Sequence, residues 1–254
     1  MTSSCPYSKS LSADAADAGS IPRPYSASQL KDLKRDLEAL APAMAWVDDF
    51  VTRSHAYLGR PGMVCPYVPE ALRRDMLSFF VLPVEPATGR EQEPNYDDYI
   101  AALEPLILRL RDRFVATQST DPRFKLLHSY LMVFRGLPSD ADRAALLIET
   151  MQKGLKPKFV ELGLMIGEFH PISNAIGLRN PDFRPLRSPV PLLSIRNMVE
   201  VDFAFLNRAY DPAPLRVRFL RSYLHYVGHE LGHLSRSKVE AALQQAEEEA
   251  LQTA

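Results

Sequence analysis

The sequence predicts an α+β domain with α/β-like alternation, a small mixed sheet of about four strands packed with helices. Three observations point there. Apolar runs of strand length recur along the chain, and amphipathic stretches of helical period separate them. Prolines and glycines punctuate the boundaries between the two. The 254 residues, 46% hydrophobic and 24% charged, are enough for one sizeable core without disulfides or structural metal.

Residues 1–27, rich in Ser, Ala, Asp and Pro, predict a disordered N-terminal tail, and residues 28–254 a single domain. Leu30, Leu33, Leu37 and Leu40 recur at helical spacing behind Ser28 as N-cap, and a second helix follows through Trp46, Phe50 and Val51. Gly59-Arg60-Pro61-Gly62 breaks the pattern. The next segment, 63–69, is an apolar loop pinned by Pro66 and Pro69, and Pro69 opens a short helix through Leu72. Met76 to Val84 is a continuous apolar run, as expected of a strand buried on both faces. Glu85 to Asn95 is loop-like. Tyr99, Ile100, Leu103, Ile107, Leu110 and Phe114 then mark a long helix with Pro105 as a potential kink. Leu126 to Phe134 is a second strand, and a third helix follows with Ser139 as cap. Leu162 to Phe169 and Leu192 to Met198 are further strands, separated by a proline-rich loop over 171–191. Helices over 201–208 and 213–250 close the chain.

Thirty Lys and Arg against 31 Asp and Glu leave a net charge of −1, which disfavours nucleic acid as a general partner. No apolar run is long enough for a transmembrane helix, and the first residues lack the pattern of a secretory signal. Two cysteines, Cys5 and Cys65, make no disulfide framework, so a reducing, cytoplasmic setting is expected. Nucleotide-binding glycine loops, a serine-hydrolase elbow and a redox dithiol motif are all missing from the string.

Three places could carry chemistry. In Gly167-Glu168-Phe169-His170-Pro171-Ile172-Ser173, a histidine sits at a strand end and Pro171 fixes the backbone beside it. A neutral imidazole held there is a good ligand for iron or zinc. Arg179, Arg184, Arg187 and Arg196 follow, and their guanidinium forks suit a dianion such as a phosphate or a pair of haem propionates. The plain alternative is a loop histidine with scattered surface arginines. Cys65, flanked by Val64, Pro66, Tyr67 and Val68, is either a small buried hydrophobe or a thiolate ligand for a soft metal or haem iron. His229-Glu230-Leu231-Gly232-His233 has the HExxH spacing that, on a helix, aims two histidines at one zinc with Glu230 as base. A catalytic zinc needs a third protein ligand, and no histidine follows His233. His55, His128 and His225 carry no such pattern.

Two of these segments together resemble a known family. Val64-Cys65-Pro66-Tyr67-Val68-Pro69-Glu70-Ala71-Leu72 with the strand around Phe79-Phe80-Val81, and Phe169-His170-Pro171-Ile172-Ser173 with the arginine-rich loop and Pro191-Leu192-Leu193, resemble the cysteine and His-Pro segments of the YqcI/YcgG family. That family includes haem-dependent N-hydroxylases of the guanitoxin-pathway type. The GRPGxVCPYVP, GEFHP and RNPDFRPLRSPxP strings are also similar to an uncharacterised family of actinobacteria and cyanobacteria. Asn174 stands where the relatives have Arg, and a longer stretch separates Ser173 from Arg187-Ser188.

The resemblance implies a haem-dependent oxidoreductase, a monooxygenase of natural-product biosynthesis. It would N-hydroxylate or otherwise oxidise a small amine, guanidine or amino-acid-derived substrate with an electron donor or peroxide. His170 would be the axial ligand of haem b, and Arg187 with Arg179 or Arg184 would grip the propionates. Ser173 would hydrogen-bond near the ligand, Ser188 would belong to the same cofactor-binding set, and Cys65 would line the pocket or be the ligand itself. A zinc hydrolase through His229, Glu230 and His233, and a non-catalytic partner protein using the VCPYVP loop as a contact surface, stand beside it. A homodimer fits any of the three.

Overall fold

The computed structural model describes residues 25–26, 38–84 and 95–252. It shows a single α+β domain. The mixed sheet runs in the order β1-β2-β3-β5-β4. Its four full strands are β2 (Leu77–Pro83), β3 (Ser129–Arg135), β4 (Leu164–Phe169) and β5 (Leu192–Asn197). β1 is the two-residue piece Tyr25–Ser26, antiparallel to β2, so the last part of the expected tail joins the sheet. The rest of that tail, the helix expected from Ser28, and the loop expected from Glu85 lie mainly outside the described residues.

β2 and β3 are parallel, and β5 lies antiparallel to both β3 and β4, which leaves β4 at the edge. The β2–β3 crossover holds α3 (Tyr96–Thr117) and the four-residue α4 (Pro122–Lys125). Asn95 and Asp98 close a reciprocal capping box at the start of α3, and Pro105 sits inside the helix without ending it. After β3, α5 (Ala141–Val160) is capped by Asp140, whose carboxylate accepts the Arg143 amide at 2.8 Å. The expected cap, Ser139, is one residue too early to reach the third turn amide.

The apolar stripes of α3 and α5 cover one face of the sheet, with Leu103, Ile107, Phe114, Ile148 and Phe159 against Phe80, Met132, Ile166 and Ile195. The other face carries Phe79, Leu131 and Leu192 under α1 (Ala41–Trp46), the wider turn Val47–Val51 that continues it, and α2 (Val68–Arg73). Phe79 and Phe80 are both fully buried, as a strand covered on two sides requires. A third cluster joins the end of α5 to α6 (Phe203–Leu206), α7 (Ala213–Tyr226) and α8 (His233–Gln252). Among the described residues no helix is long and apolar enough to cross a membrane.

Gly163 turns the chain from α5 into β4 with φ +72°, and a Cβ there would fall 2.5 Å from the Tyr226 ring. Backbone conformation and space both demand glycine. Gly163→Ala is expected to cost about 2 kcal/mol or more, read as a lower urea midpoint with an unchanged m-value.

Candidate functional site

Pro171 turns the chain away from β4, and His170 becomes the knot of the loop that follows. Its amide donates to Leu186 O at 3.3 Å, and its carbonyl accepts the Ser173 and Ser188 amides at 3.2 and 3.4 Å. Arg187 Nε donates to Ser173 O at 2.9 Å, and Ser188 Oγ donates to Val190 O at 2.6 Å. Four predicted site residues, His170, Ser173, Arg187 and Ser188, therefore meet in one place, where they close a loop. The His170 ring is only 2% exposed. Its Nε2 lies 3.0 Å from Glu149 Oε1 on α5, and its Nδ1 is enclosed without a hydrogen-bond partner.

The other predicted residues lie elsewhere. Arg184 donates to its own loop, to Phe183 O at 3.2 Å and to Pro181 O. Arg179 packs on Gly59, where a Cβ would come within 2.9 Å of its own Cβ. Cys65 packs in the second core cluster, its amide donating to Val51 O at 3.0 Å. With Tyr67 it sits in the field of Arg196, near the far end of β5 from Leu192. Leu192 pairs with Phe169, next to His170, so Cys65 and His170 lie toward opposite ends of β5.

Haem, which the resemblance implies, does not fit these residues in this arrangement. The expected axial imidazole has no open face. One ring nitrogen is engaged by Glu149 and the other is shut in. The three loop arginines have three separate settings instead of one shared place for acid groups. The zincin helix is also corrected. Gly228–Glu230 is a single tight turn, Leu231 is extended at ψ 135°, and His233 only begins α8, so the two histidines share no helical face. His229 and Glu230 are 71% and 53% exposed and lie 3.6 Å from each other. Among the described residues no three His, Cys, Asp or Glu side chains are grouped to hold a metal ion.

A cluster that the sequence reading passed over lies along the outer edge of β4. Glu149, Gln152 and Lys156 fall on one face of α5, three and four residues apart. Gln152 Nε2 donates to Ile166 O at 2.9 Å and covers part of that edge. Glu168 on β4 is half-buried and feels the charges of Glu149 and Lys156. Burial pushes its carboxyl above the usual range against its own amide and Arg208, and Glu149 adds to the rise. Lys156 is 9% exposed, donates from Nζ to Phe205 O at 2.7 Å and lies 4.9 Å from the Phe219 ring centroid. Burial pulls its ammonium below the usual range, chiefly against Asp211. Two further acceptors, Asn207 Oδ1 and Asp211 Oδ2, are enclosed without partners.

One signal was present in the string. Glu149, Gln152 and Lys156 each follow directly on a stripe residue of the buried face, Ile148, Met151 and Leu155. They therefore stand at its margin, where Gln152 and Lys156 are covered while Glu149 stays half open to solvent at 52% exposure.

No curated protein and no solved structure matches the chain. Residues 40–238, from the approach to α1 into the start of α8, match the family described as a domain of unknown function, DUF6875, and the chain belongs to that family.

Proposed function

We propose that the chain is a small-molecule enzyme that binds an amine, guanidine or amino-acid-derived compound along the outer edge of β4, with Glu168 as its acid–base group. One observation carries this reading. It is a buried lysine, Lys156, held by Phe205 O and the Phe219 ring, with the unpartnered acceptors Asn207 Oδ1 and Asp211 Oδ2 on the chain just beyond Phe205; burial draws Lys156 below its usual range and Glu168 above its own. Glu149 and the free oxygens of Asn207 and Asp211 suit an ammonium or guanidinium group, and Arg208 suits a carboxylate. All of these residues fall inside the family match. A cytoplasmic setting goes with this reading.

Calorimetric titration with L-arginine and with agmatine, its analogue lacking the carboxylate, tests it. The wild type is expected to bind L-arginine more tightly, and Arg208→Gln is expected to lose that preference by at least about tenfold. Failure of every amine, guanidine and amino acid in a broad panel to bind saturably would overturn the proposal. Glu168 also leaves a mark on stability. Its raised carboxyl favours the fold while protonated, and that contribution disappears as pH rises through the raised value. Glu168→Gln is therefore expected to gain stability relative to the wild type between pH 4.5 and pH 8, measured by urea unfolding.

Haem-dependent N-hydroxylation is the second reading. The family resemblance alone supports it, and it requires the His170 loop to open, because as folded Nε2 faces Glu149 and Nδ1 is enclosed. Expressed with haem precursor, the protein would show a Soret band that His170→Ala removes or shifts. Colourless protein under those conditions leaves the β4-edge reading alone.

A further inference from the structure

We propose that the chain docks an acidic, apolar-bearing stretch of a second polypeptide on a face built from residues 53–63 and 171–190, independently of the β4-edge reading. The two segments meet at two points. A Cβ at Gly59 would fall 2.9 Å from Arg179 Cβ, and the His55 and Phe183 rings lie 4.9 Å apart. The Gly177 amide donates to Phe183 O at 2.9 Å and closes the loop that carries Leu178 and Arg179.

Charge is the first reason. Arg53, Arg60, Arg179, Arg184 and Arg187 stand on the two segments against one acid, Asp182, which leaves +4 there on a chain whose net charge is −1. None of the five is paired with a carboxylate among the described residues, whereas Arg196, Arg216, Arg218, Arg221 and Arg236 each are. Asp48, just upstream, meets Arg53 through its backbone carbonyl at 3.1 Å and not through its carboxylate. Arg60 donates to Val64 O at 3.0 Å, Arg184 to Phe183 O at 3.2 Å and Arg187 to Ser173 O at 2.9 Å. These bonds hold the guanidinium groups in place without neutralising them, so less order is lost when a carboxylate arrives.

Apolar exposure is the second reason. Tyr57, Ile176 and Leu178 are each more than half exposed, and Met63 and Ile172 on the same segments are exposed as well. Arginine, tyrosine and methionine among open aliphatic side chains, with no lysine, have the composition of a protein interface. The arginines are spread along two stretches and do not converge, so they match carboxylates spaced along a peptide better than one small dianion. The exposed Asp182 among them disfavours an anionic lipid surface, and the net charge of the chain disfavours nucleic acid.

A displayed library of random peptides, selected on the whole chain and counter-selected on the double variant Leu178→Ser, Arg179→Glu, is the probe. Enriched peptides are expected to carry several Asp or Glu among Leu, Ile or Phe. A synthetic peptide of that kind is expected to lose at least about tenfold in affinity on Leu178→Ser and on Arg179→Glu singly, and to bind more weakly as salt rises, read by fluorescence polarisation. Both side chains are exposed, so unchanged urea midpoints should accompany the loss. Should Arg179→Glu lower the midpoint, Tyr57→Ser on the other segment takes its place. Enrichment of no peptide, enrichment of peptides without acidic residues, or an affinity that the variants leave unchanged overturns the proposal. So does Arg179-dependent binding of phosphatidylserine vesicles or of single-stranded DNA in the absence of peptide binding, which would give the face to a membrane or to nucleic acid.

Discussion

Arg196→Met is expected to lower the stability of the domain by about 3–5 kcal/mol, the largest effect of any single substitution discussed. Arg196 stands on β5 between Ser129 of β3 and Met165 of β4. Both of its terminal nitrogens donate to Asp202, each at 2.6 Å, and one also donates to Asn197 O at 3.0 Å. Asp202 is fully buried and accepts the Val199 amide at 2.8 Å as well. It therefore fastens the turn Glu200–Asp202, which carries the chain from the sheet to α6. Removing the guanidinium leaves a carboxylate out of water without its counter-charge, and the desolvation already incurred is no longer offset. The double variant Arg196→Met, Asp202→Leu separates charge from shape. Replacing both partners with apolar groups leaves nothing uncompensated, so most of the loss should return. Urea midpoints for the two variants decide the matter. If the double variant is no better than the single one, the pair acts by shaping the turn and not by neutralising a buried charge.

The sheet was legible because each strand writes its own burial locally. Met76 to Val84 is apolar apart from Ser78, and a run of that kind has no solvated face to offer. The cap of α5 moved from Ser139 to Asp140 because adjacent residues of similar capping strength differ only in which amide they reach. The site was less legible. Pro171 and the prolines after it did bring His170, Ser173, Arg187 and Ser188 together. Whether the imidazole would be open or enclosed depended on Glu149, which lies on a different element and meets it only after folding. The HExxH string failed for a local reason that spacing alone does not carry. Leu231 leaves the helical region, and two histidines four apart then no longer stack. Nothing in the string marks Glu168 as covered, yet it is half-buried on β4, on which α5 packs. The groups that act on it, Glu149 and Lys156 of α5 and Arg208, come from two other stretches of chain, which is why no motif announces them.

Acidification from pH 6.5 to about 4 is expected to remove about 3 kcal/mol of stability through His128 alone. The ring lies edge-on to Phe114 at 4.7 Å and against Tyr130 at 5.3 Å, and its Nε2 is enclosed without a partner. Burial pulls the imidazole from 6.5 down to about 4, because a charge there would lose its hydration with nothing to replace it. The unfolded chain therefore takes up the proton at a higher pH than the folded one. Stability is complete above 6.5, falls as the pH drops through the window, and levels off below about 4, where both states are protonated. Glu168 acts with the opposite sign, losing its contribution as pH rises, so a plain stability profile mixes the two. His128→Phe isolates the histidine. It keeps an aromatic ring against Phe114 and Tyr130 but cannot be protonated, so its profile should lack the component of the acid slope that the wild type shows between pH 6.5 and about 4. Urea unfolding of both proteins across that range measures the difference directly, and parallel profiles would show that His128 meets its proton without cost, through a partner that reaches Nε2 once the ring is charged.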